Sequence, residues 1–163
     1  MRELTKKGSF RLGMNFAIIS AVITTLGLMV GLNATTASRM IILGGIITIA
    51  IADSLADALG VHISQEARKE TTKKEVWEST LGAFIGKFII SLLFIIPLLL
   101  FEVELAIILN IIIGIGIITY FSYYISSKKG ENPVHSIAEH LIIAALVIII
   151  TQLTGSFIST FFI

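Results

Sequence analysis

The stretch SRMIILGGIITIAIADSLADALGVHIS, residues 38–64, decides the fold because it is apolar enough to cross a bilayer and yet carries two carboxylates. Asp53 and Asp57 lie four residues apart, which places both side chains on one face of a helix. A charge near the middle of a bilayer costs at least about 2.5–3.5 kcal/mol, so two acids there indicate ion or proton handling. The alternative is a buried pair that only holds helices together.

The composition is that of an integral membrane protein. Hydrophobic residues make up 55% of the 163 positions and charged residues only 14%, well below the quarter or so that is typical of soluble proteins. Five stretches reach the roughly 17–25 apolar residues that a membrane helix needs. We therefore predict an all-α bundle, a single domain over 1–163, with a short cytoplasmic linker at 64–80 and spans at about 12–33, 40–63, 81–101, 104–126 and 137–161.

The positive charges predict the orientation of these spans. Ten of the twelve cations fall at alternate span ends, and the opposite side has only Arg39. By the positive-inside rule the N-terminus is cytoplasmic and the C-terminus lies outside. Basic residues beside a membrane indicate orientation and lipid contact, so we expect a lipid bilayer and no nucleic acid as partner. The ten are Arg2, Lys6, Lys7, Arg11, Arg68, Lys69, Lys73, Lys74, Lys128 and Lys129.

One cation falls inside a span. Lys87 lies six residues into the third span, near the expected depth of Asp57. It can pair with Asp57 permanently, pair until a cation or proton arrives, or extend to the cytoplasmic surface. Ser20 and Thr24 of the first span can line the same pathway.

Further candidate ligands follow the two acids along the chain. His62 and Glu66 continue the second span toward the cytoplasm, and Glu70 follows four residues later. Carboxylate and imidazole together suit Mn²⁺, Fe²⁺ or Zn²⁺, whereas oxygen ligands alone suit Mg²⁺ or Ca²⁺. We predict a metal path through Asp53, Asp57, His62, Glu66 and Glu70, although a solvated helical hairpin with intrahelical ion pairs also explains the glutamates.

Three local patterns concern packing and helix ends. Gly27 with Gly31, and Gly82 with Gly86, have the spacing of close helix contacts, within the bundle or between two copies. Pro97 predicts a kink or an end late in the third span. Ser136 is a candidate N-cap for the fifth span.

The order of these patterns resembles the vacuolar iron transporter family. SAVITTLGLMVGL at 20–32 and DSLADALGVHISQEAR at 53–68 are similar to its first two helices, and Trp77, Pro97 and Asn132-Pro133 extend the similarity along nearly the whole chain. Position by position, the resemblance places Ser20 where the family has an aspartate and Asp57 where it has a methionine. It also places Val61 where the family has a glutamate, and reduces a long cytoplasmic metal-binding insertion to 64–80.

The resemblance implies a homodimer that exports Fe²⁺ or Mn²⁺ from the cytosol in exchange for protons. We accordingly expect a multi-pass protein of the cell membrane, with the metal ion as substrate and no permanently bound cofactor. A carboxylate in place of a thioether at position 57 favours harder cations. The alternatives are a non-transporting membrane module, and an enzyme, for which no supporting catalytic motif is present.

Overall fold

The computed structural model describes the backbone of residues 2–162 and the side chains of residues 8–162. Its helices are α1 (Arg2–Thr36), α2 (Arg39–Glu66), α3 (Lys73–Leu93), α4 (Ile95–Leu100), α5 (Val103–Lys129) and α6 (Pro133–Phe162). No strand occurs in the described part. The all-helical prediction is therefore confirmed, while the side chains of Arg2, Lys6 and Lys7 lie outside the described residues.

Five segments are long and apolar enough to cross a membrane, as predicted. They are Gly8–Thr36, Arg39–Glu66, Lys73–Leu100, Val103–Lys129 and Pro133–Phe162, each longer than its predicted span. The predicted linker 64–80 shrinks to residues 67–72 because α2 runs on to Glu66 and α3 begins at Lys73. A capping box between Thr72 and Glu75 fixes that start, with Thr72 accepting from the Glu75 N–H and Glu75 from the Thr72 N–H.

The third span is interrupted at Phe94, between α3 and α4. Pro97 has no N–H, so the carbonyl one turn before it loses its helical partner and the helix breaks there. The side chain of Asn110, on α5, donates to the Phe94 carbonyl at 2.9 Å. The predicted kink is thus present, and a buried amide supports it.

Helix α6 begins earlier than predicted. Asn132 accepts from the Val134 N–H at 3.0 Å, and Pro133 is the first helical residue. Proline suits that position because its missing N–H would have no helical partner. The prediction of Ser136 as N-cap is therefore wrong, since Ser136 lies inside the helix.

Helix α1 is the central element and packs on α2, α3, α5 and α6. At its crossing with α3, a β-carbon on Gly82 would collide with the carbonyl of Phe10, and one on Gly86 would press on Met14. These glycines let the two backbones approach closely. The close packing of α1 on α3 positions the candidate site.

The second glycine pair also serves packing inside the chain. Gly27 and Gly31 of α1 face Val147 and Thr151 of α6. Both glycine motifs therefore form contacts within the bundle, and neither is free to pack against a second copy.

Candidate functional site

The charged centre of the protein is formed by Lys87 with Asp53, Asp57 and Ser20. The ammonium nitrogen of Lys87 lies 2.6 Å from Asp53 Oδ2 and 2.6 Å from Asp57 Oδ2. It also donates to Ser20 Oγ at 3.0 Å. Three acceptors thus meet the three N–H donors of the ammonium group.

Helix geometry explains why these groups meet. The two aspartates project from successive turns of α2 toward one point, and Lys87 reaches that point from the buried face of α3. Its side chain is only 1% exposed. Of the possibilities that the sequence left open for Lys87, the structure shows a pair with Asp57 and excludes extension to the surface.

Ser20 ties α1 into the same centre. Its hydroxyl donates to Asp57 Oδ2 at 2.9 Å and accepts from Lys87. Asp57 Oδ2 therefore accepts two hydrogen bonds, one from Ser20 and one from Lys87. The three side chains bond one another and so connect α1, α2 and α3.

The charges in the centre do not balance within it. With all three groups ionised, two carboxylates face one ammonium, which leaves a net charge of −1. The three side chains also differ in exposure. Lys87 is buried, whereas the side chains of Asp53 and Asp57 are 31% and 21% exposed. The carboxylates can therefore be reached from the side opposite to Lys87.

Three neighbouring cavities lie along the open side, between α1 and α2. The Asp57 cavity holds about 300 Å³ and the Asp53 cavity about 440 Å³, and Ala56 borders both. A larger entrance cavity of about 700 Å³ extends toward the 67–72 connection. It shares Leu12 and Gln65 with the Asp57 cavity. These shared residues show that the three cavities follow one another from the connection to the two acids.

Two further predicted site residues line these cavities. Thr24 lines the Asp53 cavity, where its hydroxyl donates to the Ala21 carbonyl at 3.4 Å. Glu70 lines the entrance cavity together with Arg68 and Lys69. Neither is bonded to Lys87, Asp53 or Asp57.

His62 and Glu66 lie elsewhere. They border another cavity of about 340 Å³, next to Trp77 and Lys73, which shares Thr71 with the entrance cavity. Thr80 Oγ1 donates to the Val76 carbonyl at 2.7 Å, so its oxygen is left to accept from His62 Nδ1 at 2.9 Å. That assignment leaves Nε2 of the neutral ring as the acceptor. His62 is thereby held against α3, away from the two aspartates.

The five predicted ligands are therefore divided among different cavities. Asp53 and Asp57 meet at Lys87, Glu70 stands at the entrance, and His62 with Glu66 lies on the α3 side. Among the residues whose side chains are described, no group of three or more His, Asp or Glu is placed to hold a metal ion. The charged centre offers carboxylate and hydroxyl oxygens only, the ligand type of hard cations.

Two further residues, Ser54 and Ser91, were not predicted as site residues and are fully buried, Ser54 directly after Asp53 in α2. Ser91 follows Lys87 by one helical turn and accepts from Thr25 Oγ1 at 3.2 Å. Ser54 Oγ has no hydrogen-bond partner within the described part of the chain. The spacing of Ser91 from Lys87 was the available signal.

Comparison of the chain with models of protein families, with curated proteins and with solved structures finds no match.

Proposed function

We propose that this protein is a divalent cation transporter of the Fe²⁺ and Mn²⁺ class that exports its cargo from the cytosol in exchange for protons. The observation that carries the proposal is the intramembrane centre of Asp53, Asp57 and Lys87, whose two acids face an open groove. Ionisable groups inside membrane segments are costly and usually mark ion or proton paths.

The cavities supply a route for the cargo. A cation arriving from the 67–72 connection would pass the entrance cavity and Glu70, then reach Asp57 and finally Asp53. Ser20 Oγ and the carboxylate oxygens would take the place of its hydration shell. Mn²⁺, a comparatively hard member of the class, accepts such oxygen ligands.

Charge balance describes the exchange. A divalent ion neutralises both carboxylates, so Lys87 must leave them when the ion arrives. A carboxylate has to be deprotonated to bind metal, so protons reaching Asp53 and Asp57 from the other side compete with the ion and release it. The two acids then give up these protons to the cytosol, and Lys87 returns to the ionised carboxylates and resets the site.

The homodimer and the orientation belong to the same proposal. One face of α2 presents small residues at every fourth position, all of them exposed, beside the two acids. Such a face allows a second helix to approach closely. A second copy placed there would cover the groove from lipid. The residues are Gly44, Thr48, Ala52, Ala56, Gly60 and Ser64.

A second candidate function is a non-transporting membrane module. The burial of Lys87 and the full set of acceptors around its ammonium group favour it, because a satisfied ion pair can fix helix positions without any traffic. In such a module the aspartates would be needed for folding alone.

Proteoliposomes separate the two candidates. With Mn²⁺ inside or outside and a pH dye in the lumen, a transporter moves protons only when Mn²⁺ is present. Asp53→Asn and Asp57→Asn should abolish this flux, whereas Glu102→Gln should retain it because Glu102 is exposed and lies far from the centre. No Mn²⁺-dependent flux in the unaltered protein, or equal flux in the two Asn variants, would refute transport.

A further inference from the structure

Lys87 needs other acceptors if a cation is to take its place. In the structure its ammonium is bonded to Asp53, Asp57 and Ser20, and a cation on those oxygens would leave it with none of them. An unpaired charge in a membrane interior is costly. The surroundings of Lys87 therefore decide whether the exchange can occur at all.

Two buried hydroxyl groups lie on α2 and α3, the helices that carry the two acids and Lys87. Ser54 lies on the buried face of α2, which packs on α3, and its oxygen has no partner in the described residues. Ser91 follows Lys87 by one turn of α3, where β-carbons lie about 5–6 Å apart, within the reach of a lysine side chain. Its oxygen accepts one hydrogen bond from Thr25 and has a second lone pair left.

We infer that Ser54 and Ser91 receive the Lys87 ammonium when a cation displaces it from the two aspartates. The inference rests on the proposed transport function and assigns two positioning residues to it. Lys87 keeps its proton and exchanges carboxylate oxygens for hydroxyl oxygens. Ser54 Oγ, which has no partner among the described residues, gains a hydrogen bond in the cation-bound state.

This role predicts that Ser54→Ala preserves or raises thermal stability while it weakens Mn²⁺ binding. Ser54→Ala removes an unpaired buried hydroxyl, so the thermal stability of the cation-free protein should stay equal or rise. The same change withdraws an acceptor from the displaced ammonium. The dissociation constant for Mn²⁺ should then rise at least about tenfold, the value of one hydrogen bond to a charged group.

The experiment titrates Mn²⁺ into detergent-solubilised full-length protein and counts free ion by electron paramagnetic resonance, with thermal unfolding measured on the same samples. Ser79→Ala is the matched control, because Ser79 is also fully buried but bonds the carbonyls of Glu75 and Val76 in its own helix. Its Mn²⁺ affinity should be unchanged. In a Lys87→Met background, Ser54→Ala should have no effect on affinity.

The results test the role of Ser54 and the transport of Mn²⁺ separately. Unaltered affinity in Ser54→Ala, with Mn²⁺ bound by the original protein, overturns the role of Ser54 and leaves transport standing. A loss of affinity that persists in the Lys87→Met background overturns it as well. Absence of Mn²⁺ binding in the original protein overturns the proposed function and the inference together.

Discussion

Two buried polar centres can be compared, the charged one at Lys87 and the neutral one at Asn110. Asn110 donates to the carbonyl of Phe94 at 2.9 Å and contacts Met29 Sδ at 3.2 Å. It lies where the third span is interrupted, and its hydrogen bond to the backbone there explains why a polar side chain is buried at this position. The helices are not interrupted at the charged centre, and the charges of Lys87, Asp53 and Asp57 do not cancel. A buried polar group that no break in the backbone explains is the stronger candidate for function.

Lys87→Met tests the charged centre and should have the largest effect on stability. Removing the ammonium leaves two partly exposed carboxylates near one another, with only the Ser20 hydroxyl still bonded to Asp57, and the loss of a buried ion-pair partner costs up to about 3–5 kcal/mol. Thermal or denaturant unfolding in detergent measures the loss. Adding Asp57→Asn should recover much of it, because one of the unpaired charges is then gone. A single variant as stable as the original protein would show that the ion pair contributes nothing.

Asn110→Leu tests the neutral centre. The Phe94 carbonyl would lose its donor, and an unsatisfied buried carbonyl costs about 1–3 kcal/mol. Mn²⁺-dependent proton flux, scaled to the amount of folded protein, should stay the same. A selective loss of flux at full stability would erase the distinction between the two centres.

Ser122→Ala extends the comparison to a second neutral contact. Ser122 is fully buried on α5 and lies 2.8 Å from His140 Nδ1 on α6. Losing this hydrogen bond should cost about 1 kcal/mol and leave flux intact. Unfolding and transport assays on one preparation check both. A change in flux larger than that of Asp57→Asn would place the ion path between α5 and α6 instead.

The sequence was sufficient for the spans and for part of the charged centre. Apolar lengths identified five membrane helices, and depth alone suggested the pair of Lys87 with Asp57. The depth of a residue along its span does not say on which face of the helix its side chain lies. His62 lies five residues after Asp57, about 140° around α2, and Glu66 lies thirteen after Asp53, about 220° around it. These two therefore face other cavities, as the structure shows.

Other features required the packed bundle. Each glycine motif had two possible partners in the sequence, and only the crossings of α1 with α3 and α6 decide between them. The sequence predicted for Lys87 a depth near that of Asp57, whereas the sharing of its ammonium with Asp53 depends on how α2 and α3 are rotated. The missing partner of Ser54 likewise appears only once every neighbouring helix is in place.

The most direct test of the account uses the variant Lys87→Met/Asp57→Asn, chosen because its charges are reduced while its fold should be retained. Mn²⁺-dependent proton flux is measured in proteoliposomes for this variant and for the original protein, after unfolding has shown both to be folded. The account predicts clear flux for the original protein and none for the folded variant. Equal flux in the two, or none in the original protein, would contradict the claim that the charged centre is a transport site.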